Sequence, residues 1–522
     1  MFAKIRKFFG PKRLADGNKL IVNCEKLETR VALLENGILE EYTVERVGEV
    51  NIVGSIFKGV VRNIEPGLKA MFVDIGYEKN AFLHFWDAIP EALDAGLEEI
   101  QRGGSAKKKA KRIQVKDIPD LYPVGSEVLV QVTKGPIGTK GPRITTNISL
   151  AGRYMVLMPR NDQFGISRKI EDPKERARLR KIMERLSVPE GMGIILRTVS
   201  IGQKLRYFVR DLSILVDQWR EIEGVAKENK APVRAFAEPD LVERTVRDFL
   251  TEEIDEVICD NQESAERMKE IVGIISRRSK KRIQFMSGTQ PIFDRFGIQR
   301  QIDDAFYRQV WLPSGGYIVI DETEALISID VNTGRAKNQD KMLLQTNIEA
   351  AEEVARQLRL RNIGGLIVVD FIDMKSRRDQ QAVYKVMRDR LKRDKAKTQI
   401  LPISALGLME MTRQRLHEAL SVTVNEPCHY CQGRGMVKSA TTMSVELQRR
   451  INAIFARHGD RIRDLIIVVH PDVLERLRTK DSELLVELER RHNARLTFRS
   501  DPTFYREQVV FADAHSGQEV QP

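Results

Sequence analysis

The chain has 522 residues, of which 42% are hydrophobic and 31% charged, so its composition excludes a disordered protein and fits a globular one. This length is too great for one hydrophobic core, and we expect three or more domains. The 86 Lys and Arg against 74 Asp and Glu give a net charge of +12, which favours a polyanionic partner because neutralising phosphates releases their counterions.

The sequence carries no pattern typical of export or membrane insertion. Its longest aliphatic stretches, such as LIIVV (465–469), are far shorter than the roughly 20 apolar residues of a membrane span. The opening segment MFAKIRKFFGPKRL lacks the apolar core of a secretory signal. Four cysteines in a chain of this size do not make a disulfide scaffold, so we expect a cytoplasmic protein without a transmembrane segment.

Short strands dominate the first part of the chain. Residues 20–45 alternate in strand-like segments around an ENG turn, which predicts a hairpin. Segments 54–85 and 125–150 hold short strands separated by Gly-containing turns, which predicts a small β-barrel. The insert between them contains GGSAKKKAKR (103–112), either a solvated loop or an added arm that contacts phosphates.

An α/β pattern occupies the second half. Residues 150–235 mix strands and helices, and 240–285 are rich in helix. From about 305 to 425 strands alternate with helices, which predicts a layered sheet covered by helices. After NEPCHYCQGRG (425–435), segment 441–510 combines helix and strand patterns and predicts a small α/β domain.

A β-branched run, ISIDVNTG (327–334), ends on polar side chains. Period-2 alternation along this strand predicts that Ser328, Asp330 and Asn332 share one face, while the apolar residues between them face the core. Each polar residue also has an ordinary explanation, since Asp, Asn and Gly are common where a buried strand ends in a turn.

A second apolar strand, GGLIVVDFIDM, ends on Asp370, and Asp373 follows it. Ligands of α/β sheets usually bind at the carboxyl ends of strands. Two carboxylates from neighbouring strand ends suit Mg²⁺, which binds through one or two carboxylates and keeps several waters. Such a metal orients a water for in-line attack on a phosphodiester, and Asn332 is placed to fix a carboxylate by a hydrogen bond. For each Asp taken alone, a strand-terminal cap is the alternative.

Cys428 and Cys431 form the motif CHYC, followed by QGRG. The C-x₂-C spacing lets two thiolates reach one metal, but structural zinc takes four ligands. The missing ligands come either from histidine, with His417 and His429 nearby, or from a second chain. A redox motif is less favoured, because the sequence offers no thioredoxin-like context. Cys24 and Cys259 stand alone, without ligand spacing.

Six segments together resemble one family. EALISIDVNTGRA, ARQLRLRNIGGLIVVDFIDM and CHYCQGRG are similar, in order and separation, to the catalytic half of the ribonuclease E/G family. IEPGLKAMFVDIGYEKNAFL, NISLAGRYMVLMP and GMGIILRT resemble its amino-terminal half. The resemblance implies a Mg-dependent endoribonuclease of RNA processing and mRNA decay. Its substrate would be single-stranded, A/U-rich RNA, cut to leave a 5′ phosphate and a 3′ hydroxyl.

Carried over residue by residue, the resemblance assigns Asp330 and Asp370 as ligands of the catalytic Mg and Asn332 as the support of their geometry. Asp373 lies in the same motif, but its strand phase points away from Asp370, which predicts a structural role.

The barrel resembles the family's OB-fold RNA-binding domain. The resemblance places an RNA-contacting aromatic pair at Phe72 and Phe82 and an RNA-contacting lysine at Lys140. Aromatic side chains in a basic groove stack on unpaired bases. Without the resemblance, Phe72 is more typical of core, and Phe57 and Phe85 are expected to be core in either case.

The family also senses a 5′ monophosphate on its substrate. Arg197 and Thr198 match the two main phosphate contacts, and Gly152 and Val156 match positions that complete the pocket. A guanidinium beside a hydroxyl suits a terminal phosphate. Taken alone, an Arg-Thr pair is an ordinary surface pair.

The resemblance implies zinc shared between two chains through Cys428 and Cys431, hence a homodimer, with a homotetramer left open. We expect no long scaffold tail for partner enzymes, since the segment after the catalytic half is compact and resembles the shorter, ribonuclease G-like branch. A non-cleaving RNA-binding regulator is the alternative, against which the intact acidic pair counts. A DNA nuclease is less favoured, because the barrel and the phosphate pocket suit flexible single strands.

We therefore expect a multidomain α/β and β architecture with an OB-fold barrel, a 5′-phosphate sensor, RNase H-like and DNase I-like subdomains, a zinc-link and a small carboxyl-terminal α/β domain. The expected segments are 1–45 with 240–305 (RNase H-like), 46–146 (OB-fold with basic insert), 147–239 (phosphate sensor), 306–424 (catalytic, DNase I-like), 425–440 (zinc-link) and 441–522 (small domain).

Overall fold

The protein was analysed as a computed structural model. It describes residues 17–46, 48, 52–89, 97–99, 117–136, 140–323, 325–334, 340–415, 419–420, 424–426, 428–431, 433–458 and 461–521. The basic run 103–112 and His417 lie outside these residues. The chain divides into two compact units, 1–423 and 424–522. Among the described residues, no helix is both long enough and apolar enough to cross a membrane.

Strands supply most of the framework. They are β1 (Asn18–Cys24), β2 (Glu28–Glu35), β3 (Ile38–Arg46), β4 (Ile56–Glu65), β5 (Ala70–Asp74), β6 (Ala81–His84), β7 (Leu97–Glu99), β8 (Glu127–Lys134), β9 (Arg143–Thr145), β10 (Leu150–Ala151), β11 (Met155–Pro159), β12 (Asn161–Ser167), β13 (Met192–Leu196), β14 (Val233–Phe236), β15 (Glu256–Cys259), β16 (Ile283–Phe285), β17 (Gln309–Trp311), β18 (Tyr317–Glu322), β19 (Ile327–Asn332), β20 (Gly365–Asp370), β21 (Thr398–Ile400), β22 (Leu408–Arg413), β23 (Asp464–Val469), β24 (Arg495–Ser500) and β25 (Val510–Asp513).

Helices cover the sheets. They are α1 (Ile118–Leu121), α2 (Pro173–Glu184), α3 (Leu205–Glu228), α4 (Leu241–Asp248), α5 (Gln262–Ile275), α6 (Arg277–Lys280), α7 (Ile292–Arg295), α8 (Ile298–Phe306), α9 (Asp340–Leu360), α10 (Arg377–Leu391), α11 (Ala440–His458), α12 (Pro471–Thr479) and α13 (Ser482–His492). Short 3-10 turns occupy Pro66–Leu68, Phe85–Ala88 and Thr198–Ser200. The predicted helix-rich stretch at 240–285 is confirmed by α4, α5 and α6.

The first sheet has the strand order β16-β15-β1-β2-β3, and β1 runs parallel to β15 and antiparallel to β2. The predicted hairpin is confirmed: β2 and β3 join through Asn36 and Gly37, whose φ angles of 50° and 82° are typical of a type I′ turn. Alternate residues of β1 enter different cores, so that Leu20 packs with α4 and α5 while Ile21 packs with α7 and α8. Helices therefore bury both faces of this sheet.

The second sheet is closed. Strands β4, β5, β6, β9 and β8 follow one another around it, and pairing of β4 with β8 completes a five-stranded barrel, which confirms the predicted OB-like barrel. Gly59 is required by the close packing inside it, since a Cβ at this position would lie 2.6 Å from Cγ1 of Val73. Phe57 and Phe85 are buried in the barrel core, as predicted.

A third sheet, of order β10-β11-β13-β12-β7, packs on the long helix α3. Trp219 and Phe208 of α3 and Tyr154 beside β11 are almost fully buried in this core. The strand β7 belongs to the segment expected to be an insert of the barrel, yet its backbone pairs with β12 at Gly165–Ser167. The described part of the insert therefore extends the neighbouring sheet.

The fourth sheet has the order β17-β18-β19-β20-β22-β21, with α9 and α10 packed on one face. Ile327, Ile329 and Val331 of β19 enter that core, so the predicted alternation of this strand is confirmed. Since the two helices bury the apolar face, the polar residues of the strands lie on the opposite face.

The second unit is a small α/β fold. Its three strands have the order β24-β23-β25, and β23 runs parallel to β24 and antiparallel to β25. Apolar residues of α11, α12 and α13 pack on this sheet, among them Ile451, Leu477 and Leu488. The predicted alternation of helices and strands in this segment is confirmed.

Candidate functional site

Two carboxylates lie side by side at one edge of the fourth sheet. Strands β19 and β20 are parallel neighbours, and their register pairs Asp330 with Asp370. Both side chains are exposed on the face opposite the helices. Because the two strands end together, the sequence pattern at 327–332 and the pattern at 365–370 supply one common site.

Asn332 holds one of these carboxylates. Its Nδ2 donates a hydrogen bond of 2.7 Å to Oδ2 of Asp330. The two residues are two positions apart on one strand face, which is the geometry that the alternation predicts. The amide adds no charge, so it restricts the Asp330 side chain without neutralising it.

The electrostatics of the site favour a cation. Partial burial raises the pKa of Asp370 above its ordinary value, and the negative charges of Asp330 and Asp373 raise it further. A carboxyl group whose ionised form is opposed by like charges gains stabilisation when a positive ion neutralises them.

Asp373 belongs to this acidic cluster, which corrects the sequence interpretation. The strand β20 ends at Asp370, so the alternation that was expected to turn Asp373 away does not continue to it. The side chain is exposed, and its charge acts on Asp370. The segment GGLIVVDFIDM includes Asp373, but its sequence pattern does not show that the strand ends at Asp370.

Asn347 fixes the segment between Asp370 and Asp373. This buried residue of α9 donates from Nδ2 to the carbonyl oxygen of Ile372 at 2.8 Å and accepts from the backbone N–H of Ile372 at 3.0 Å. The paired bonds replace the strand pairing that ends at Asp370. Sequence reasoning missed Asn347, although an Asn on the buried face of an amphipathic helix is an unusual feature.

A tight backbone turn follows Asn332. Gly334 has a φ of 58°, and a Cβ there would lie 2.3 Å from the carbonyl oxygen of Gly315. A Cβ on Gly316 would lie 2.7 Å from the carbonyl oxygen of Asn332. The turn is thus packed against the start of β18, so ISIDVNTG does end in a turn, and the same strand carries Asp330 and Asn332 on one face.

Two aromatic side chains share the face that carries the carboxylates. Tyr317 of β18 is the register partner of Asn332, and Trp311 of β17 is the partner of Tyr317. Their ring centroids are 5.3 Å apart in an edge-to-face arrangement, and Trp311 is 66% exposed. The sequence interpretation did not include this pair, because only the strand pairing places it beside Asp330.

The barrel brings together the aromatic residues expected to contact RNA. Phe72 and Phe82 are directly opposite on β5 and β6, with ring centroids 5.9 Å apart, and both are half-buried. His84 adds a third ring, 6.4 Å from Phe82. Lys140 is exposed, and the neighbouring Gly141 packs closely on the backbone of Asn80, two residues before Phe82.

The residues of the expected phosphate pocket also meet. Arg197 donates from one guanidinium nitrogen to the carbonyl oxygen of Gly152 at 2.6 Å and from another to Asp248 at 2.8 Å. Thr198 is exposed at the start of a 3-10 turn, and Val156 lies on β11 opposite Ala151. Asp248 already neutralises part of the Arg197 charge in this arrangement.

Asp211 of α3 holds the backbone beside the expected phosphate pocket through hydrogen bonds. The buried carboxylate accepts backbone N–H bonds from Arg153, Tyr154 and Met155 at 2.8–3.2 Å, and its burial raises its pKa. A Cβ on Gly152 would lie 2.7 Å from this carboxylate, so glycine is required there. A cavity of about 360 Å³ borders Gly152 and Asp211, away from the acidic edge of the fourth sheet.

Cys428 and Cys431 lie in a turn of the second unit, ahead of α11. Backbone N–H groups of Gly435 and Gly433 lower the pKa of Cys431, and both glycines have positive φ. This arrangement favours a thiolate, the form that binds metal. Across the described residues, no third Cys, His, Asp or Glu completes a metal-binding group with these thiols, and His429 does not join them.

Comparisons with known proteins show the family of the chain. The family model described as "Ribonuclease E/G family" matches residues 149–416. Ribonuclease G of Escherichia coli K12 is 37% identical over 494 residues, which cover 94% of this chain and 98% of that protein. Ribonuclease G of Haemophilus influenzae is 36% identical over 94% of this chain and 99% of its own length. Ribonuclease E of E. coli K12 is 38% identical over 83% of this chain and 40% of its own length.

A second family model corrects one expectation. It is described as "RNase E/G, Thioredoxin-like domain" and matches residues 427–513, which include Cys428 and Cys431. The expectation that no thioredoxin-like context surrounds the CHYC motif is therefore wrong. The two cysteines nevertheless lie in a turn ahead of α11 and not at its N-terminus. A helix N-terminus is one of the places where a reactive thiol gains its low pKa.

The acidic cluster makes a direct prediction. Replacing Asp330 by Asn removes one like charge, so the pKa of Asp370 should fall toward its ordinary value. The measurement is a carbon-13 NMR titration of the aspartate side-chain carboxyl signals, with Asp370 assigned by its loss in Asp370→Asn. Asp321→Asn, at the far end of β18, is the matched control and should leave that pKa unchanged. An unchanged Asp370 pKa in Asp330→Asn would show that the two carboxylates do not interact.

Proposed function

The chain belongs to the ribonuclease E/G family, and on that premise we propose that it is a Mg-dependent endoribonuclease in which Asp330 and Asp370 hold the metal. Endoribonuclease activity follows from the family. The metal, the substrate preference and the assignment of residues are the proposal. One observation carries it: parallel strands align the two exposed carboxylates in register at one sheet edge, with Asn332 bonded to the first.

The donor set fits a hard divalent cation. Carboxylate oxygens on two adjacent strand ends, exposed to solvent, leave room for the waters that Mg²⁺ keeps. The raised pKa of Asp370 marks a surplus of negative charge that such an ion offsets. A bound Mg²⁺ supplies acidification and orientation of a water for attack on the phosphodiester, giving 5′-phosphate and 3′-hydroxyl ends.

The protein residues position this chemistry. Asn332 restricts the rotamer of Asp330, and Asn347 holds the segment that separates Asp370 from Asp373. Asp373 adds charge to the site. Basic side chains follow at once in the sequence, and the exposed Lys375 would contact the phosphates that flank the scissile bond.

Single-stranded RNA is the proposed substrate, with a preference for A/U-rich segments. Phe72 and Phe82 form a half-buried aromatic pair on the barrel, and stacking of a base on such a side chain contributes about 1–3 kcal/mol. Lys140 provides a positive charge beside them. Stacking tolerates different bases, because every base has a π-face, whereas a rigid duplex does not expose its bases to it.

A substrate with a 5′ monophosphate is preferred in this proposal. The terminal phosphate would take donors of Arg197 and the hydroxyl of Thr198, with Gly152 and Val156 closing the pocket. The contact of Arg197 with Asp248 holds the guanidinium in place before substrate arrives. The phosphate then competes with Asp248 for the same charge, so the preference would be moderate.

Cys428 and Cys431 are proposed to share a structural Zn²⁺ with the same residues of a second chain. Backbone N–H groups of Gly433 and Gly435 support the thiolate form, and two thiolates supply half of a tetrahedral zinc site. The protein would then be a zinc-linked homodimer, with a homotetramer left open, working in cytoplasmic RNA processing and mRNA decay. The RNase H-like, DNase I-like and phosphate-sensor subdomains stay assignments by family resemblance.

Trp311 and Tyr317 are proposed to extend the RNA contact next to the acidic pair. Tyr317 is a diagonal neighbour of Asp330, a separation of about 7–8 Å, and Trp311 is one strand farther away. That spacing suits a base next to the scissile phosphate. The exposure of Trp311 leaves a ring face open for stacking.

The central test replaces one carboxylate. Asp330→Asn should keep RNA affinity within about twofold but lose more than about 100-fold in cleavage of a 5′-monophosphorylated, A/U-rich single-stranded RNA, a larger loss than the 10–100-fold typical of an outer-shell change. Ser328→Ala, on the same face of the same strand, is the matched control and should cleave normally. Full cleavage by Asp330→Asn would place the chemistry elsewhere.

The phosphate pocket has its own test. Arg197→Ala should abolish the preference for monophosphorylated ends, so that the ratio of cleavage rates for 5′-monophosphate and 5′-hydroxyl RNA falls to about one, since the guanidinium supplies the phosphate contact. Arg220→Ala, an exposed arginine of α3, is the control. A wild-type ratio in Arg197→Ala would rule out the pocket assignment.

The pair Trp311 and Tyr317 is tested by truncating the Trp311 side chain. Trp311→Ala should weaken RNA binding by about 5–150-fold, the equivalent of losing one stacked base at about 1–3 kcal/mol, while Trp311→Phe keeps most of the affinity. Fluorescence anisotropy of a labelled RNA measures both. Unchanged affinity together with a changed sedimentation coefficient would instead make this surface a protein interface.

A further inference from the structure

The first sheet gathers two distant cysteines. Strands β1 and β15 are parallel neighbours, and β1 ends at Cys24 while β15 ends at Cys259. The sequence gives these cysteines no ligand spacing, but the fold places both thiols with Asp260 at one edge of the sheet. The two Sγ atoms and a carboxylate oxygen of Asp260 all lie within 4.8 Å of one another.

We propose that Cys24, Cys259 and Asp260 form a binding site for a thiophilic divalent cation of the Zn²⁺ class. This site is separate from the carboxylate pair of the fourth sheet and from the CHYC motif of the second unit. It takes two thiolates and one carboxylate from the protein and leaves the fourth position to a water.

The spacing of the ligand atoms suits such an ion. Zinc bonds of about 2.3 Å to sulfur and about 2.0–2.2 Å to oxygen place tetrahedral ligands about 3.5–3.8 Å apart. The ligand atoms of Cys24, Cys259 and Asp260, all within 4.8 Å of one another, are close enough to share one such ion. Sulfur ligands select zinc-like ions over Mg²⁺, which prefers oxygen alone.

The carboxylate is already oriented. Asp260 accepts 2.6 Å and 2.8 Å hydrogen bonds from Nδ2 of Asn23 and the backbone N–H of Cys24. Asn23 is in turn held by Arg30, whose Nε donates to Oδ1 of Asn23 at 2.7 Å. Partners of this kind orient metal ligands and are typical of built metal sites.

The two thiols differ in how readily they ionise. A hydrogen bond with the Cys259 thiol lowers the pKa of Cys24 to about 7, while the same contact raises the pKa of the buried Cys259. The carbonyl oxygen of Asn261, 3.3 Å from Sγ of Cys259, is a second acceptor for that one proton. A cation that binds both sulfur atoms displaces the proton.

Solvent reaches the site through a polar cavity. A cavity of about 210 Å³ is lined by Asn23, Cys24, Asp260 and Arg295, among others. It has room for an entering hydrated ion and for the water that completes the coordination.

A disulfide between the same cysteines fits less well. Val22, two residues before Cys24, is the register partner of Cys259, so the cysteines are diagonal neighbours. Diagonal α-carbons are about 7–8 Å apart, beyond the span of about 4.4–6.8 Å that a disulfide usually takes. A cation bridges this gap because it inserts between the sulfur atoms.

The test uses the full chain carrying Cys428→Ser and Cys431→Ser, which removes the other thiol pair. With Co²⁺ as the probe, this chain should show the thiolate-to-cobalt charge-transfer and tetrahedral d–d absorption of one bound ion, a spectrum that the oxygen ligands Asp330 and Asp370 cannot give. Adding Cys24→Ser and Cys259→Ser should abolish that spectrum, and adding Asp260→Asn should weaken Co²⁺ binding about tenfold or more. Met286→Leu, a cavity residue without a strong ligand atom, is the matched control and should leave the spectrum unchanged.

A second readout is thermal unfolding. Zn²⁺ should raise the unfolding midpoint of the Cys428→Ser/Cys431→Ser chain by more than that of the same chain with Cys24→Ser and Cys259→Ser added, because an ion that binds only the folded state stabilises it and the carboxylate pair is common to both chains. Absence of both the Co²⁺ spectrum and the Zn²⁺ shift overturns the proposal. Formation of a Cys24–Cys259 disulfide under mild oxidation, without any metal binding, would overturn it in favour of a redox pair.

Discussion

The parallel pairing of β19 and β20 is the constraint on which the proposed active site depends. In a parallel pair both strands end at the same edge, so the register that joins Ile329 to Val369 in the core also joins Asp330 to Asp370 outside it. Two like charges held this way oppose each other, as the raised pKa of Asp370 reflects. The core fixes an arrangement that is unfavourable by itself and becomes favourable once a cation is bound.

Other features preserve that arrangement. Asn347 replaces the strand pairing lost beyond Asp370, and Gly334 lets the chain turn directly after Asn332. Neither residue carries charge or offers a ligand to the site. A site built on strand ends therefore needs a defined backbone path after each strand as well as the ligands themselves.

The same geometry occurs a second time in the molecule. In the first sheet the parallel pair β1 and β15 brings Cys24 and Cys259 to a common edge, as β19 and β20 bring the aspartates. The residue types differ, and with them the ions that they suit. Oxygen ligands suit Mg²⁺ and its waters, whereas thiolates suit a zinc-like ion.

Local patterns in the sequence predicted local structure well. The alternation of β19 and the Asn36–Gly37 turn were readable because they depend on neighbouring residues. The small barrel was predicted from its short strands and Gly-containing turns, whereas its OB-fold assignment and the paired phenylalanines followed from family resemblance. The end of β20 and the role of Asn347 were not readable, since each depends on contacts between segments distant in the chain. Trp311 and Tyr317 lie on neighbouring strands, and the sequence did not show that β18 places them beside Asn332. Cys24 and Cys259 are the extreme case, because no spacing relates them.

Locating a metal in crystals of the wild-type protein would test the proposed active site directly. Mn²⁺ replaces Mg²⁺ at oxygen sites and gives an anomalous X-ray signal. We expect one such peak between Asp330 and Asp370, absent in Asp370→Asn. A peak elsewhere, or none in a protein that still cleaves RNA under the same Mn²⁺ concentration, would contradict it.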